Sequence, residues 1–133
     1  LFWEATRKVA MPIDRSLSWS VPNTRTALNS MLTRELTRRA LNGHEIEDFL
    51  DYWLAELEKQ KYAFVSIAFV DIAKDAPLTV TSENDKTPTY LRVFACFMVS
   101  DKPFGKSYES IPLPVTKNRR AGPTVVEWGG VLL

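Results

Sequence analysis

The chain has 133 residues, of which 45% are hydrophobic and 25% are charged, and its net charge is +1. This length predicts one domain over residues 1–133, and the composition excludes a disordered chain. The balanced charge indicates no class of partner, and the longest apolar runs, Tyr62–Val70 and Val93–Val99, are far shorter than the ~20 residues of a membrane helix.

The N-terminal part of the chain is expected to hold one strand and one loop. Phe2–Ile13 has a mild β-favouring pattern and predicts a strand that ends before Asp14. Ser16–Val21, which is rich in serine and tryptophan, predicts a loop that Pro22 closes.

Two amphipathic helices are predicted next, at Thr24–Asn42 and Glu45–Gln60. In each of them, apolar residues recur at three- and four-residue steps and form one stripe. The two stripes consist of Leu28, Met31, Leu32, Leu36 and Ala40, and of Ile46, Phe49, Leu50, Trp53, Leu54 and Leu57. The short connection between them predicts a helical hairpin with Trp53 in its core.

The predicted ends of these helices follow from capping residues. Asn23 or Thr24 offers a side-chain oxygen to the free amides of the first turn. Asn42 and Gly43 both tolerate the left-handed conformation that commonly ends a helix. The hairpin is therefore expected to turn at Gly43.

After Lys61, the apolar period shortens from 3.6 residues to 2. Tyr62–Ile72 and Tyr90–Val99 are rich in β-branched and aromatic residues and are apolar on both alternating faces. Strands of this kind are normally central in a sheet and covered on both sides. The two segments are therefore predicted to form the middle of the sheet.

Further strands are predicted towards the C-terminus. Thr124–Leu133 predicts a terminal strand in which Gly129-Gly130 marks a bulge or a close backbone approach. Weaker short strands are predicted at Leu78–Ser82 and, as a proline-containing edge, at Ile111–Thr116. Together the elements predict an α+β fold, in which a two-helix hairpin packs on one face of a small, mostly antiparallel sheet.

Charge is segregated along the chain. Residues 1–42 hold seven basic and three acidic residues, whereas residues 43–61 hold two basic and six acidic residues. Two basic clusters are candidate contacts to nucleic acid or another anionic polymer. They consist of Arg34, Arg38 and Arg39 on the first helix and of Lys117, Arg119 and Arg120 in a predicted loop. The alternative is that these charges only solvate the surface.

Metal and catalytic chemistry have little support in the sequence. Cys96 is the only cysteine and lies in an apolar run, which predicts a buried thiol. His44 lies one helical turn before Asp48, but a zinc site needs further histidines or paired cysteines. Glu47, Asp48 and Asp51 alternate with apolar residues, as in an ordinary amphipathic helix. We expect no metal, no cofactor and no enzymatic activity.

The leading functional hypothesis is a non-enzymatic binding or assembly domain that self-associates or docks a protein partner. A pair of helices can cover only one face of the sheet, and both central strands are also apolar on the opposite face. The candidate self-association contacts are Trp3, Val126 and Trp128. Binding of nucleic acid or another anionic polymer through the arginine-rich helix is the alternative. A small helix-on-sheet enzyme or ligand carrier is a third hypothesis, and an intracellular location is the default expectation.

Overall fold

The computed structural model describes residues 14–73, 76–80, 88–108, 120 and 122–133. The described elements confirm the α+β class: two helices pack on an open sheet of five strands in the order β4-β1-β2-β3-β5. In chain order they are β1 (Trp19–Pro22), α1 (Arg25–Arg38), α2 (Gly43–Glu58), β2 (Phe64–Val70), β3 (Thr89–Ser100), β4 (Lys106–Ser107) and β5 (Thr124–Leu132).

The sheet is antiparallel through its centre and parallel at both edges. β2 pairs antiparallel with β1 on one side and with β3 on the other, so the two predicted central strands are central. The edge strands β4 and β5 run parallel to β1 and β3, respectively. The ladder between β3 and β5 runs without interruption from Thr89↔Thr124 to Phe97↔Leu132, so no bulge forms at Gly129-Gly130.

The helices cover one face of the sheet, as predicted. Side chains from alternate positions of β1, β2 and β3 join the two helical stripes in a single buried cluster. From the strands it contains Val21, Val65, Ile67, Val93, Ala95 and Phe97, and from the helices and their connection Leu28, Met31, Leu32, Leu36, Leu41, Phe49, Trp53, Leu54 and Leu57. The stripes therefore bury the faces that their periodicity indicates, except at Ala40, because α1 ends at Arg38 and Ala40 lies beyond it.

The opposite side of the sheet, which we call the far face, is also largely shielded. Ser66 and Cys96 are fully buried there, and Ala68 is 3% exposed. The Ser66 hydroxyl donates to the backbone oxygen of Phe104 at 2.6 Å, which fastens the loop after β3 against this face. The prediction of a buried Cys96 is thus confirmed.

The turn between the helices differs from the prediction. Gly43 is the first residue of α2 and not the turn, because Asn42 is the N-cap of α2. Asn42 Oδ1 accepts from the Glu45 amide at 3.0 Å, and Glu45 Oε2 accepts from the Asn42 amide at 2.7 Å, which forms a reciprocal capping box. The positive φ of 62° belongs instead to Ala40. A capping signal for the second helix was therefore misread as a stop signal for the first.

The strand β1 lies where the sequence predicts a loop at Ser16–Val21. Its side chains alternate, so that Val21 is buried under the helices while Ser20 faces the other way. The prediction of an N-cap at Thr24 is confirmed, since its hydroxyl accepts from the Ala27 amide at 3.3 Å. No strand forms over residues 78–80 of the predicted Leu78–Ser82.

Two predicted strands, Phe2–Ile13 and Ile111–Thr116, lie outside the described residues. Within the described ranges, neither helix has the length and apolar character needed to cross a bilayer.

Candidate functional site

The arginine cluster on α1 contains a buried carboxylate at its centre. Glu35 is 2% exposed, and one of its oxygens accepts from Arg38 Nη1 at 2.9 Å while the other contacts Arg39. The guanidinium carbon of Arg39 also lies 3.9 Å from the centre of the Phe69 ring. Two of the three predicted cations are therefore engaged within the domain. Their binding to an anionic partner stays a prediction.

Arg34, the third member of this cluster, borders a shallow and open depression along the outward face of α1. The residues that line it are Arg25, Thr26, Asn29, Ser30, Thr33 and Arg34. Arg25 in turn donates to Glu58 of α2 at 2.8 Å. The depression is open to solvent along the helix, so it does not enclose a ligand as a binding cavity does.

The structure brings Arg120 to the turn between the helices. Its guanidinium binds both oxygens of Glu45, at 2.8 and 2.5 Å, and donates to the backbone oxygen of Ala40 at 2.6 and 3.2 Å. The two side chains are 26% and 19% exposed. Arg120 therefore holds the strained turn at Ala40 in place. Lys117 and Arg119 lie outside the described residues.

The contact with Arg120 predicts a pH dependence of stability. The hydrogen bond from Arg120 lowers the pKa of Glu45, so the native state favours the ionised carboxylate. The resulting stabilisation is present above the ordinary pKa of glutamate, about 4.3, and is lost as the pH falls through the lowered value. Between neutral and acidic pH, the midpoint of urea unfolding should therefore fall less in Glu45→Gln than in the parent chain. Equal falls in both proteins would contradict this role of Glu45.

A different feature stands out at the edge of the sheet formed by β5. The Leu133 amide donates to the Phe97 oxygen at 2.8 Å. Because backbone groups alternate along a strand, the odd-numbered residues of β5 bond to β3 and the even-numbered residues point away from it. The N–H and C=O groups of the even-numbered residues of β5 therefore form what we call the outer edge of β5: Thr124, Val126, Trp128, Gly130 and Leu132. No described strand pairs with it.

The residues of β5 itself carry few of the features that usually protect an edge strand. β5 has nine residues, contains neither proline nor lysine, and has an unbroken register with β3. Its one charged residue, Glu127, forms an ion pair with Arg92 on β3, and the two side chains are 13% and 12% exposed. Arg92 also donates to the Ala76 oxygen at 2.5 Å. The charge of Glu127 is thus engaged by its own sheet.

Aromatic side chains lie beside the same edge, on the helix side of the sheet. The ring of Trp128 meets that of Phe49 edge-on at 5.4 Å. Tyr52, three residues after Phe49 on the same flank of α2, is 52% exposed and packs edge-on against Trp53 at 5.2 Å. The helix whose Phe49 contacts Trp128 of β5 therefore also carries an exposed aromatic ring, Tyr52.

Two of the three candidate self-association residues lie on this strand. Val126 and Trp128 are half-buried members of β5 whose side chains face the helices and whose backbone groups belong to the outer edge. Their sequence position indicated them, but nothing in the sequence indicated Tyr52, which looks like one more residue of an amphipathic helix. Trp3 lies outside the described residues.

The acidic residues near the start of α2 do not converge. His44 is 96% exposed and its Nδ1 lies 3.5 Å from Glu47 Oε2, while Asp48 and Asp51 are exposed. Among the residues that the structure describes, no three histidine, cysteine or acidic side chains are grouped so that they could hold a metal ion.

Comparison of this chain with protein-family models, with curated proteins and with solved structures finds no match in any of the three. The choice of a candidate site therefore depends on the geometry alone, and the strongest candidate is the outer edge of β5 together with Tyr52.

Proposed function

We propose that this protein is a binding or assembly domain that accepts a β-strand of a protein partner at the outer edge of β5. The single observation that carries the proposal is the long, regular edge whose outward backbone groups bond to no described strand. In strand addition, main-chain hydrogen bonds supply affinity and neighbouring side chains supply specificity. The geometry of β5 offers five residues with outward donors and acceptors.

The side chains around the edge support a protein partner over a nucleic acid. Tyr52 and Trp128 supply aromatic contact area, which is enriched at protein interfaces. By contrast, Arg38 and Arg39 bind Glu35, and Arg120 binds Glu45. Contacts to phosphate from these three arginines would compete with ion pairs inside the domain. Binding of an anionic polymer therefore remains the alternative hypothesis.

The proposal is tested with a synthetic peptide as the probe. The peptide carries the sequence of Thr124–Leu132 with a lysine at each end for solubility, and its effect is read from residue-resolved amide hydrogen exchange. At a protein concentration low enough for light scattering to show one chain per particle, we expect slower exchange at the even-numbered residues of β5, whose amides point outward. We expect little change at the odd-numbered residues, which already bond to β3.

The control is the same peptide with prolines at alternate positions, which cannot pair along a strand. It should leave the exchange unchanged. The proposal is wrong if neither the peptide nor a higher concentration of the protein slows exchange at the outward amides. It is also wrong if these amides are already protected in a monomeric particle, because the chain itself would then occupy the edge.

A proline at Val126 should block strand addition with little damage to the fold. The Val126 amide points outward, so the substitution removes a donor from the outer edge and no hydrogen bond from the ladder with β3. The matched control is Val125→Pro, which removes an inward amide and should cost an additional ~1–3 kcal/mol of unfolding free energy. Urea unfolding and peptide binding are measured for both. Equal loss of stability in the two variants would contradict the assigned direction of the backbone groups.

A further inference from the structure

We infer that the strand accepted by β5 is β5 of a second copy of this chain, which runs antiparallel to it about a two-fold axis at Trp128. The two five-stranded sheets would then join into one continuous sheet of ten strands. This inference rests on the proposed function and adds to it the identity of the partner and the register of pairing. A two-fold dimer is also the commonest assembly of identical chains.

The backbone restricts the possible registers. The outward groups of β5 all belong to even-numbered residues, so an even residue of one copy must face an even residue of the other. With the axis at Trp128, all nine residues of Thr124–Leu132 are paired, and Val126 faces Gly130 of the second copy. If the axis moves by one residue to Glu127 or to Gly129, two residues at one end of each strand lose their partners.

The side chains favour the same register. With the axis at Trp128, Glu127 faces Gly129 of the second copy, so no like charges meet and the ion pair with Arg92 is kept. With the axis at Glu127, the two Glu127 carboxylates would face each other, which is destabilising. Val125 faces Val131 of the second copy in the favoured register, which forms two apolar pairs on the far face. β5 is thus complementary to itself.

Residues around the strand extend the same surface. Tyr52 is 52% exposed on the flank of α2 that borders β5, and Leu133 is 45% exposed directly after the strand. The axis at Trp128 brings the Trp128 side chains of the two copies together on the helix side, between the two α2 helices. Apolar and aromatic groups at the centre of an interface commonly dominate its affinity.

The register is tested by disulfide cross-linking. Val125→Cys and Val131→Cys are combined in a background in which the buried Cys96 is replaced by alanine. In the proposed dimer these two positions form a pair that is not hydrogen-bonded, with Cα atoms ~4.5 Å apart, which a disulfide can span. Within one strand the same positions are six residues, or ~20 Å, apart and cannot be bridged.

Mild oxidation should convert the double variant into a covalent dimer. Each single variant should stay uncross-linked, because its two equivalent cysteines lie ~20 Å apart in the proposed register. Light scattering of the unmodified chain at tens of micromolar should show two chains per particle, and Val126→Pro should shift the mass towards one chain.

Three results overturn the inference. The first is that the parent chain is a monomer in light scattering. The second is that the single variants cross-link as readily as the double variant, and the third is that the chain is a dimer but the double variant does not cross-link. If the peptide still protects the outward amides in any of these cases, strand addition stands and only the identity or register of the partner is wrong. If neither the peptide nor a higher protein concentration slows exchange at these amides, both proposals fail.

Discussion

Replacing Trp53 by alanine should lower the free energy of unfolding by about 3–5 kcal/mol, as expected for a large aromatic residue removed from a core. Trp53 is 7% exposed and lies between the two layers of the domain. Its ring centre is 4.5 Å from that of Phe97 in the sheet and 6.3 Å from that of Phe49 in the same helix. The substitution therefore leaves a cavity at the contact between helix and sheet, which urea unfolding followed by circular dichroism can measure.

Trp53→Phe is the informative control. The indole N–H of Trp53 is buried and has no hydrogen-bond partner among the described residues. Phenylalanine removes this unpaired donor and keeps much of the ring, so its cost should be clearly smaller than that of alanine. A cost below about 1 kcal/mol for Trp53→Ala would show that this residue does not belong to the core.

The largest difference between neighbouring residues is expected at the two adjacent glycines of β5. A Cβ atom at Gly130 would lie 2.6 Å from the Ala95 oxygen and 2.7 Å from Cζ2 of Trp53. Because the first of these atoms belongs to the backbone, the contact cannot be relieved by a side-chain rotation alone. Gly130→Ala should therefore destabilise the protein by about 3 kcal/mol through overpacking.

Gly129→Ala provides the matched control, one residue away on the far face. Its nearest neighbour there is the Phe94 ring at 3.5 Å, which is an ordinary van der Waals distance. Alanine restricts the unfolded chain more than glycine does, so this variant should be neutral or more stable by up to ~1 kcal/mol. Thermal or urea unfolding of the two variants side by side tests the assigned faces, and equal effects would contradict them.

The sequence predicts the helices and central strands well because each has a long local signal. The stripes of α1 and α2 repeat every three to four residues, and β2 and β3 are continuous runs of at least seven residues that are rich in apolar, β-branched and aromatic side chains. β1 has only four residues, in which Trp19 and Val21 alternate with Ser20, and such a short pattern is not distinguishable from a loop. The length of a regular pattern therefore decided which elements could be recognised.

Other features depend on contacts between distant parts of the chain and carry no local signal. α1 ends before Ala40, whose carbonyl accepts from Arg120, a residue 80 positions away. Nothing around Ala40 indicates a positive φ, which normally favours glycine. Likewise, side chains that alternate along β5 indicate the two faces of the strand, but they do not indicate whether it runs parallel or antiparallel to β3. The position of the candidate site in the sequence was therefore predictable. That no described strand pairs with its outer edge was not predictable.

The parallel pairing of β5 with β3 should also affect how the chain folds. β3 follows β2 directly along the chain, whereas the chain passes through β4 at the other side of the sheet before β5 pairs with β3. Non-local pairing of this kind is slow. Until β5 arrives, the apolar edge of β3 is uncovered, and strand edges exposed in partly folded chains promote aggregation. The yield of refolding should therefore depend on how fast this last strand finds its place relative to encounters between chains.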